Sequence, residues 1–119
     1  MLRTALIHGA VDLATEAEFR LGELRVDPSR LAVSRNGRSV SVEPRVMMVL
    51  LVLAQAGGRV VSRGELLDRC WDGRVVGDNA VQRVISRIRH LAATLGGFEI
   101  ETIPKVGYLV RPSALPSVD

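Results

Sequence analysis

The chain is poor in the features that most often declare a chemistry. It has one cysteine and two histidines in 119 residues. Cys70 therefore has no partner for an internal disulfide, and His8 and His90 lie too far apart to suggest metal-ligand spacing. A lone cysteine fits a reducing, cytoplasmic setting. Aromatic residues make up only 3%, so a core has to be built from aliphatic side chains. The longest apolar run, Val46–Ala54, falls far short of the roughly 20 residues that span a bilayer, so no membrane segment is expected in this chain. Leu2–Ala14 is interrupted by His8 and Asp12 and is followed by no cleavage pattern, unlike a signal peptide. No nucleophile–base pair, carboxylate pair or phosphate-cradling loop stands out, and the glycines fall at turns. Neither an enzyme nor a cofactor is expected.

What is present describes one small domain. The composition, 47% hydrophobic and 24% charged, is that of a globular chain. The net charge is +3 and the isoelectric point near 10.0, which suits a polyanionic partner without requiring one. Fifteen of the sixteen cationic residues are arginine. Arginine favours two-pronged contacts to phosphate and guanine. The same bias also follows from GC-rich coding.

Residues 1–18 read as a poorly defined N-terminal extension, in which Ala5–Ala14 fits either a strand or a helical turn. From Phe19 the pattern alternates with period two. Phe19–Leu21, Leu24–Val26, Leu31–Val33 and Val40–Val42 predict four short antiparallel strands. Asp27-Pro28-Ser29-Arg30 supplies one turn. Asn36-Gly37 is a strong hairpin signal, because both residues tolerate positive φ. Glu43-Pro44 opens a first helix whose broad stripe of Val46, Met47, Val49, Leu50, Leu53 and Ala54 makes it the most buried of all. Gly57-Gly58 ends it, and Val60-Val61 forms an extended link. Ser62-Arg63-Gly64-Glu65 has the form of a reciprocal capping box and starts a second helix, with Leu66, Leu67 and Trp71 inward. After the Arg74–Gly77 loop, Asp78 caps a third helix.

That third helix, Asp78–Leu95, is amphipathic. At about 100° per residue, Val81, Val84, Ile85, Ile88, Ala92 and Leu95 share one side. Asn79, Arg83, Ser86 and His90 centre the opposite side, with Gln82, Arg87 and Arg89 on its flanks. No acid follows Asp78 until Glu99. Such a face is suited to a negatively charged surface, although a polar outer face is also the rule for any solvated helix. Gly96-Gly97 stops the helix. Ile100–Ile103 and Tyr108–Val110 then form a hairpin around Pro104–Gly107, and residues 111–119 read as a tail or linker.

The segments VVSRGELLDRCWDGRVVGDNAVQRVISRIRHL and IETIPKVGYLV carry a resemblance. They resemble the C-terminal effector domain of OmpR/PhoB-type response regulators, and more closely its CadC-like branch, over residues 19–110. The matching elements are Val61-Ser62-Arg63 with Glu65-Leu66, Trp71 closing the second helix, Asp78 opening the third, Ile85-Ser86-Arg87-Ile88-Arg89 within it, and Glu101–Tyr108 in the hairpin. The resemblance implies an α+β winged helix-turn-helix: an N-terminal four-stranded antiparallel sheet, three helices and a C-terminal β-hairpin wing. It implies a cytoplasmic, nucleoid-associated regulator of transcription that binds double-stranded DNA, with relatives pairing head-to-tail on direct repeats. By position, Gln82, Arg83, Ser86 and Arg87 fall where the family reads bases. Asn79, Arg89, His90, Thr102 and Lys105 fall near its backbone-contacting positions. Arg74, Val75 and Val76 occupy the loop that touches RNA polymerase in some relatives. Ser86 stands where many relatives carry a cation, Val106 and Leu109 where the wing is often polar, and Glu43 where a Ser or Thr usually caps the first helix. A second class stays open: a winged helix that binds another protein, as partner or antagonist of a longer regulator, without specific DNA binding of its own.

Overall fold

The computed structural model describes residues 10–113. The strands β1 (Phe19–Leu21), β2 (Leu24–Asp27), β3 (Ala32–Arg35) and β4 (Arg38–Ser41) form an antiparallel sheet in the order β1-β2-β3-β4. Period-two alternation sets its faces: Leu21, Leu24, Val26 and Val33 are buried, while Arg20 and Arg25, directly paired in the register, are exposed. Asn36 and Gly37 take φ of 53° and 79°, as the hairpin between β3 and β4 requires. Leu31, expected to open the third strand, instead adopts a left-handed conformation after the short helical turn Pro28–Arg30. The strand therefore starts one residue later.

Three helices follow: α1 (Pro44–Gln55), α2 (Arg63–Cys70) and α3 (Asp78–Leu95). Seven consecutive or near-consecutive residues of α1, from Val46 to Leu53, are buried. Each large aliphatic side chain removed from water contributes about 1.5–3 kcal/mol, and α1 concentrates more of this than any other element. It touches α2, α3 and the last strand.

Three strands form a second sheet: β5 (Val61–Ser62) pairs with β7 (Gly107–Pro112), which forms the wing hairpin with β6 (Phe98–Ile103), giving the order β5-β7-β6. The extended link before α2 is thus a strand of the wing sheet. At the crossing of β5 and β7, a Cβ on Gly107 would lie 2.1 Å from the Val61 carbonyl oxygen, so only glycine allows this approach. The hairpin runs two residues past Val110, to Pro112, and Ser113 donates its amide to the Gly97 carbonyl at 3.0 Å.

Ordered structure also precedes Phe19. Leu13–Thr15 forms a helical turn, Val11 is buried, and the Val11 amide donates to the Arg69 carbonyl near the end of α2 at 2.8 Å. The first half of the Ala5–Ala14 reading, and most of the 111–119 tail, lies outside the described residues.

Two helix starts differ from expectation. Ser62 accepts the Glu65 amide at 3.0 Å, but the Glu65 carboxylate turns to Arg59, 3.4 Å away, so the capping box is made in one direction only. Gly77, not Asp78, is the N-cap of α3. Asp78 sits inside the first turn, where its charge still meets the positive helix end, and bridges to Arg63 at 2.9 Å.

Among the described residues, no helix is long and apolar enough to cross a membrane, and no cluster of potential metal ligands forms. Cys70 is buried, and burial pushes its thiol up to about 12 against the opposing pull of Arg69 and Arg45.

Two outcomes follow from this packing. Gly107→Ala should lower stability by about 1–3 kcal/mol in urea titration, because the β5–β7 pair has to move apart. Cys70 should resist iodoacetamide in the folded protein at neutral pH and be alkylated only after denaturation, since the reactive thiolate is absent.

Candidate nucleic-acid interface

α3 is held between α1 on one side and the wing on the other. Val81, Val84, Ile85, Ile88, Leu91 and Leu95 are buried. Leu91 replaces Ala92 in the expected stripe; Ala92 is half-buried. The exposed side carries Asn79, Gln82, Arg83, Ser86, Arg87, Arg89 and His90, all open to solvent. Seven polar side chains over three turns, with no carboxylate among them, give this side a cationic character.

The three arginines of α3 differ in their commitments. Arg83 points outward and forms no ion pair with the acids of the described residues. Arg87 lies toward the start of α1, with Nη1 3.3 Å from Glu43 Oε2. Arg89 lies on the opposite flank. It donates to the Ile100 carbonyl at 3.3 Å and to the Thr102 hydroxyl, tying the helix to β6. Gln82 faces the same flank, its amide nitrogen 3.4 Å from the Tyr108 hydroxyl. Arg89 and Thr102, both expected at a phosphate backbone, are thus first of all partners of each other. Lys105 is exposed at the wing tip, at φ 65°.

A concavity of about 290 Å³ opens between α3 and the wing, lined by Arg63, Gln82, Thr102, Lys105 and Tyr108 among others. From sequence, Arg63 belonged to the capping box and to the matching segment that opens the second helix, but not to the site residues. It enters the site because its guanidinium spans the α2–α3 loop, donating to the Val76 carbonyl at 3.2 Å while bridging to Asp78.

The loop itself divides the three residues grouped from sequence. Val75 is 95% exposed, whereas Val76 is half-buried against the core. Arg74 folds back, its Nε donating to the Trp71 carbonyl at 3.3 Å. Trp71 is buried and lies beneath the Arg45 guanidinium, 5.3 Å from ring centre to cation. The outer side of the wing base is of mixed charge: Glu99 and Glu101 flank Arg111, and the hydrogen bond to Glu101 holds the Arg111 guanidinium above its usual value.

A helix-turn-helix with an outward cationic third helix and an adjoining hairpin is the geometry of a DNA-reading winged helix. The family described as "Transcriptional regulatory protein, C terminal" matches residues 37–110. The chain belongs to this family. Over 92 residues it is 39% identical to the transcriptional activator CadC of Escherichia coli, a match covering 75% of this chain and 18% of that protein. Over 103 residues it is 36% identical to the transcriptional regulatory protein CseB of Streptomyces coelicolor, covering 87% of this chain and 43% of CseB. The chain therefore spans less than half the length of these curated relatives. Among solved structures, the DNA-binding domain of Escherichia coli CadC superposes with a TM-score of 0.70 at 36% identity, covering 82% of this chain and 98% of that one. The Klebsiella pneumoniae RstA DNA-binding domain, solved in complex with the RstA box, gives 0.67 at 28% identity, covering 82% and 100%. The likeness includes the N-terminal four-stranded sheet, the three helices and the C-terminal hairpin.

Family members with this fold should tolerate loss of an uncommitted arginine better than loss of a clamping one. Arg83→Ala should leave folding stability within about 0.5 kcal/mol. Arg89→Ala should cost about 0.5–1 kcal/mol and speed hydrogen exchange at the amides of β6, where Arg89 holds the strand.

Proposed function

We propose that the chain is a sequence-specific, double-stranded-DNA-binding regulator of transcription, with α3 in the major groove and the wing at the neighbouring minor groove. The observation that carries this is the exposed side of α3. It presents Asn79, Arg83, Ser86, Arg87 and His90 together, with buried residues fixing the helix from behind. A helix of this kind fits the roughly 12 Å major groove. Arg83 and Arg87 supply paired donors for guanine O6 and N7, and Gln82 offers the amide that pairs with adenine. Ser86 contributes a short hydroxyl at the centre of the face. Asn79, His90, Arg89 and Thr102 flank the bases at the level of the phosphates, and Lys105 places charge at the wing tip. RstA was solved bound to its box, which supports DNA as the partner here. Transcription control by this chain also fits a cytoplasmic place at the nucleoid and head-to-tail pairing of copies on direct repeats.

The α2–α3 loop supports a further contact with RNA polymerase. Val75 projects from it almost fully exposed, with Arg74 beside it. The same exposure favours a second reading, in which protein contact is the main activity and specific DNA binding is absent. Salt-dependent retention on heparin or random duplex DNA separates the two.

A cognate site selected from random duplexes provides the test. On that site Arg83→Ala and Arg87→Ala should each weaken binding by about 1–3 kcal/mol and relax preference at one position. Lys105→Ala should weaken all sequences alike and reduce the salt slope by about 1. Unchanged affinity in the Arg83→Ala/Arg87→Ala double variant would refute the placement of α3.

A further inference from the structure

The outer edge of β4 is unpaired, and an apolar hollow lies beside it. β4 is the last strand of its sheet and joins β3 alone. The Val42 amide donates to the Leu31 carbonyl at 2.9 Å, in the same register that sets Val40 opposite Val33. Hydrogen-bonded and non-hydrogen-bonded positions alternate along an antiparallel ladder. Val40 and Val42 therefore turn their backbone groups toward β3, while Ser39 and Ser41 turn theirs outward. Among the described residues, no turn, loop or cap bond takes those outward groups. The hollow, about 340 Å³, opens between β4 and the second half of α3. Val40, Val42, Val46 and Leu91 line it with aliphatic side chains, and Arg87, His90 and Glu43 stand around its opening. Arg38 shares the side of β4 that carries Val40 and Val42. It is exposed and forms no ion pair with the acids of the described residues.

We propose that β4 and the hollow form a docking edge for an extended segment of another protein, apolar at its centre and acidic at one end. The segment adds to the sheet as a fifth strand. Its main chain pairs with the outward groups of Ser39 and Ser41, and every second side chain turns toward α3. Those opposite Val40 and Val42 enter the hollow, where aliphatic walls that are partly open to water reward an aliphatic occupant. The one opposite Arg38 is a carboxylate, since unlike charges across a strand pair attract and like charges repel. A free edge alone is a general liability, which proteins blunt with charges, proline or a bulge. Along β4 the register is regular, without proline or bulge, and the two residues whose backbone faces the edge are serines. The adjoining hollow gives this edge side-chain selectivity that a bare strand lacks. No residue of the Arg74–Gly77 loop lines the hollow, so the surface is separate from the polymerase contact considered above. It stands independently of whether α3 reads DNA.

The experiment titrates a short synthetic peptide with blocked ends into isotope-labelled protein, read by amide NMR shifts and hydrogen exchange. The peptide carries glutamate first, valine third and fifth, and threonine at the remaining positions. Saturable shifts should centre on β4 and on Leu91 and Thr94, which line the hollow, with slowed exchange at the Ser39 and Ser41 amides. Replacing both valines by alanine should weaken binding about tenfold or more. N-methylating the peptide amides that face β4 should weaken it about tenfold. Lysine in place of the glutamate should weaken it about two- to fivefold, the size of one exposed ion pair. Ser41→Pro removes an outward amide, a change that an edge strand tolerates, and should abolish binding. Thr94→Phe narrows the hollow from the α3 side and should weaken binding with the strand itself untouched. Absence of saturable shifts at millimolar peptide, equal affinity for the valine and alanine peptides, or binding that survives both Ser41→Pro and Thr94→Phe would overturn the proposal.

Discussion

The burial of α1 is the constraint on which the remaining structure depends. A helix that is apolar around most of its circumference cannot leave any broad side in water. Met47, Val49, Leu50 and Leu53 are fully enclosed, and Val46, Leu51 and Val52 nearly so. Layers have to be supplied from several directions. The inward row of the N-terminal sheet, Leu24, Val26 and Val33, joins the same core as Ile85 and Ile88 of α3 and Val110 of β7. With few aromatic rings available, enclosure by many aliphatic side chains replaces enclosure by a few large ones. The direction of α3 is a consequence, because its apolar side has one place to go.

Packing sets the direction of α3, and two arginines outside it secure its ends. Arg63 ties the α2–α3 loop and the first turn together through the Val76 carbonyl and Asp78. At the other end, Arg35 of β3 donates to the Leu95 carbonyl at 2.8 Å while paired with Glu23 at 2.8 Å. A positive group at a helix C-terminus also opposes the helix dipole. The N-terminal sheet is therefore more than a cover for α1, since one of its hairpins closes the last turn of the helix that carries the site. Gly96 and Gly97 lie directly against the Arg35 side chain, at 3.0 Å for an added Cβ in both cases, so the stop signal also makes room for the clamp.

Much of this was legible from residue order, for physical reasons that can be named. Period-two alternation and Asn36-Gly37 sufficed for the first sheet because one face is buried and one wet. The apolar stripe of Asp78–Leu95 placed the outward side of α3 because buried and exposed positions separate cleanly around that helix. The opposite flanks of Arg87 and Arg89 were also readable from helical spacing alone. What escaped were side-chain partners set by tertiary approach. Nothing local in Val61-Ser62 says that it will pair with a strand more than forty residues later. Asp78 has the chemistry of an N-cap, but Gly77 takes the position and frees the carboxylate for Arg63. Glu65 has the chemistry of a reciprocal cap, but Arg59 is the stronger attraction. For these two carboxylates, an arginine outside the helix outbids a local capping bond.

The same competition decides which side chains on α3 are free to act. Hydrogen bonds to a charged donor are stronger than neutral ones, and an arginine with two acceptors within its own domain is poorly placed to leave them. Arg89, held by Ile100 and Thr102, orders the wing against the helix before any partner arrives. Arg83, without a carboxylate partner among the described residues, keeps its donors available but unoriented. Arg87 lies between these limits, held by one exposed bond that water screens. The outward side of α3 is thus graded from structural to free across a single helix, from the wing flank through the α1 flank to the centre. Distance from the nearest acceptor in the fold, more than cationic charge itself, separates the residues that build this surface from those able to use it.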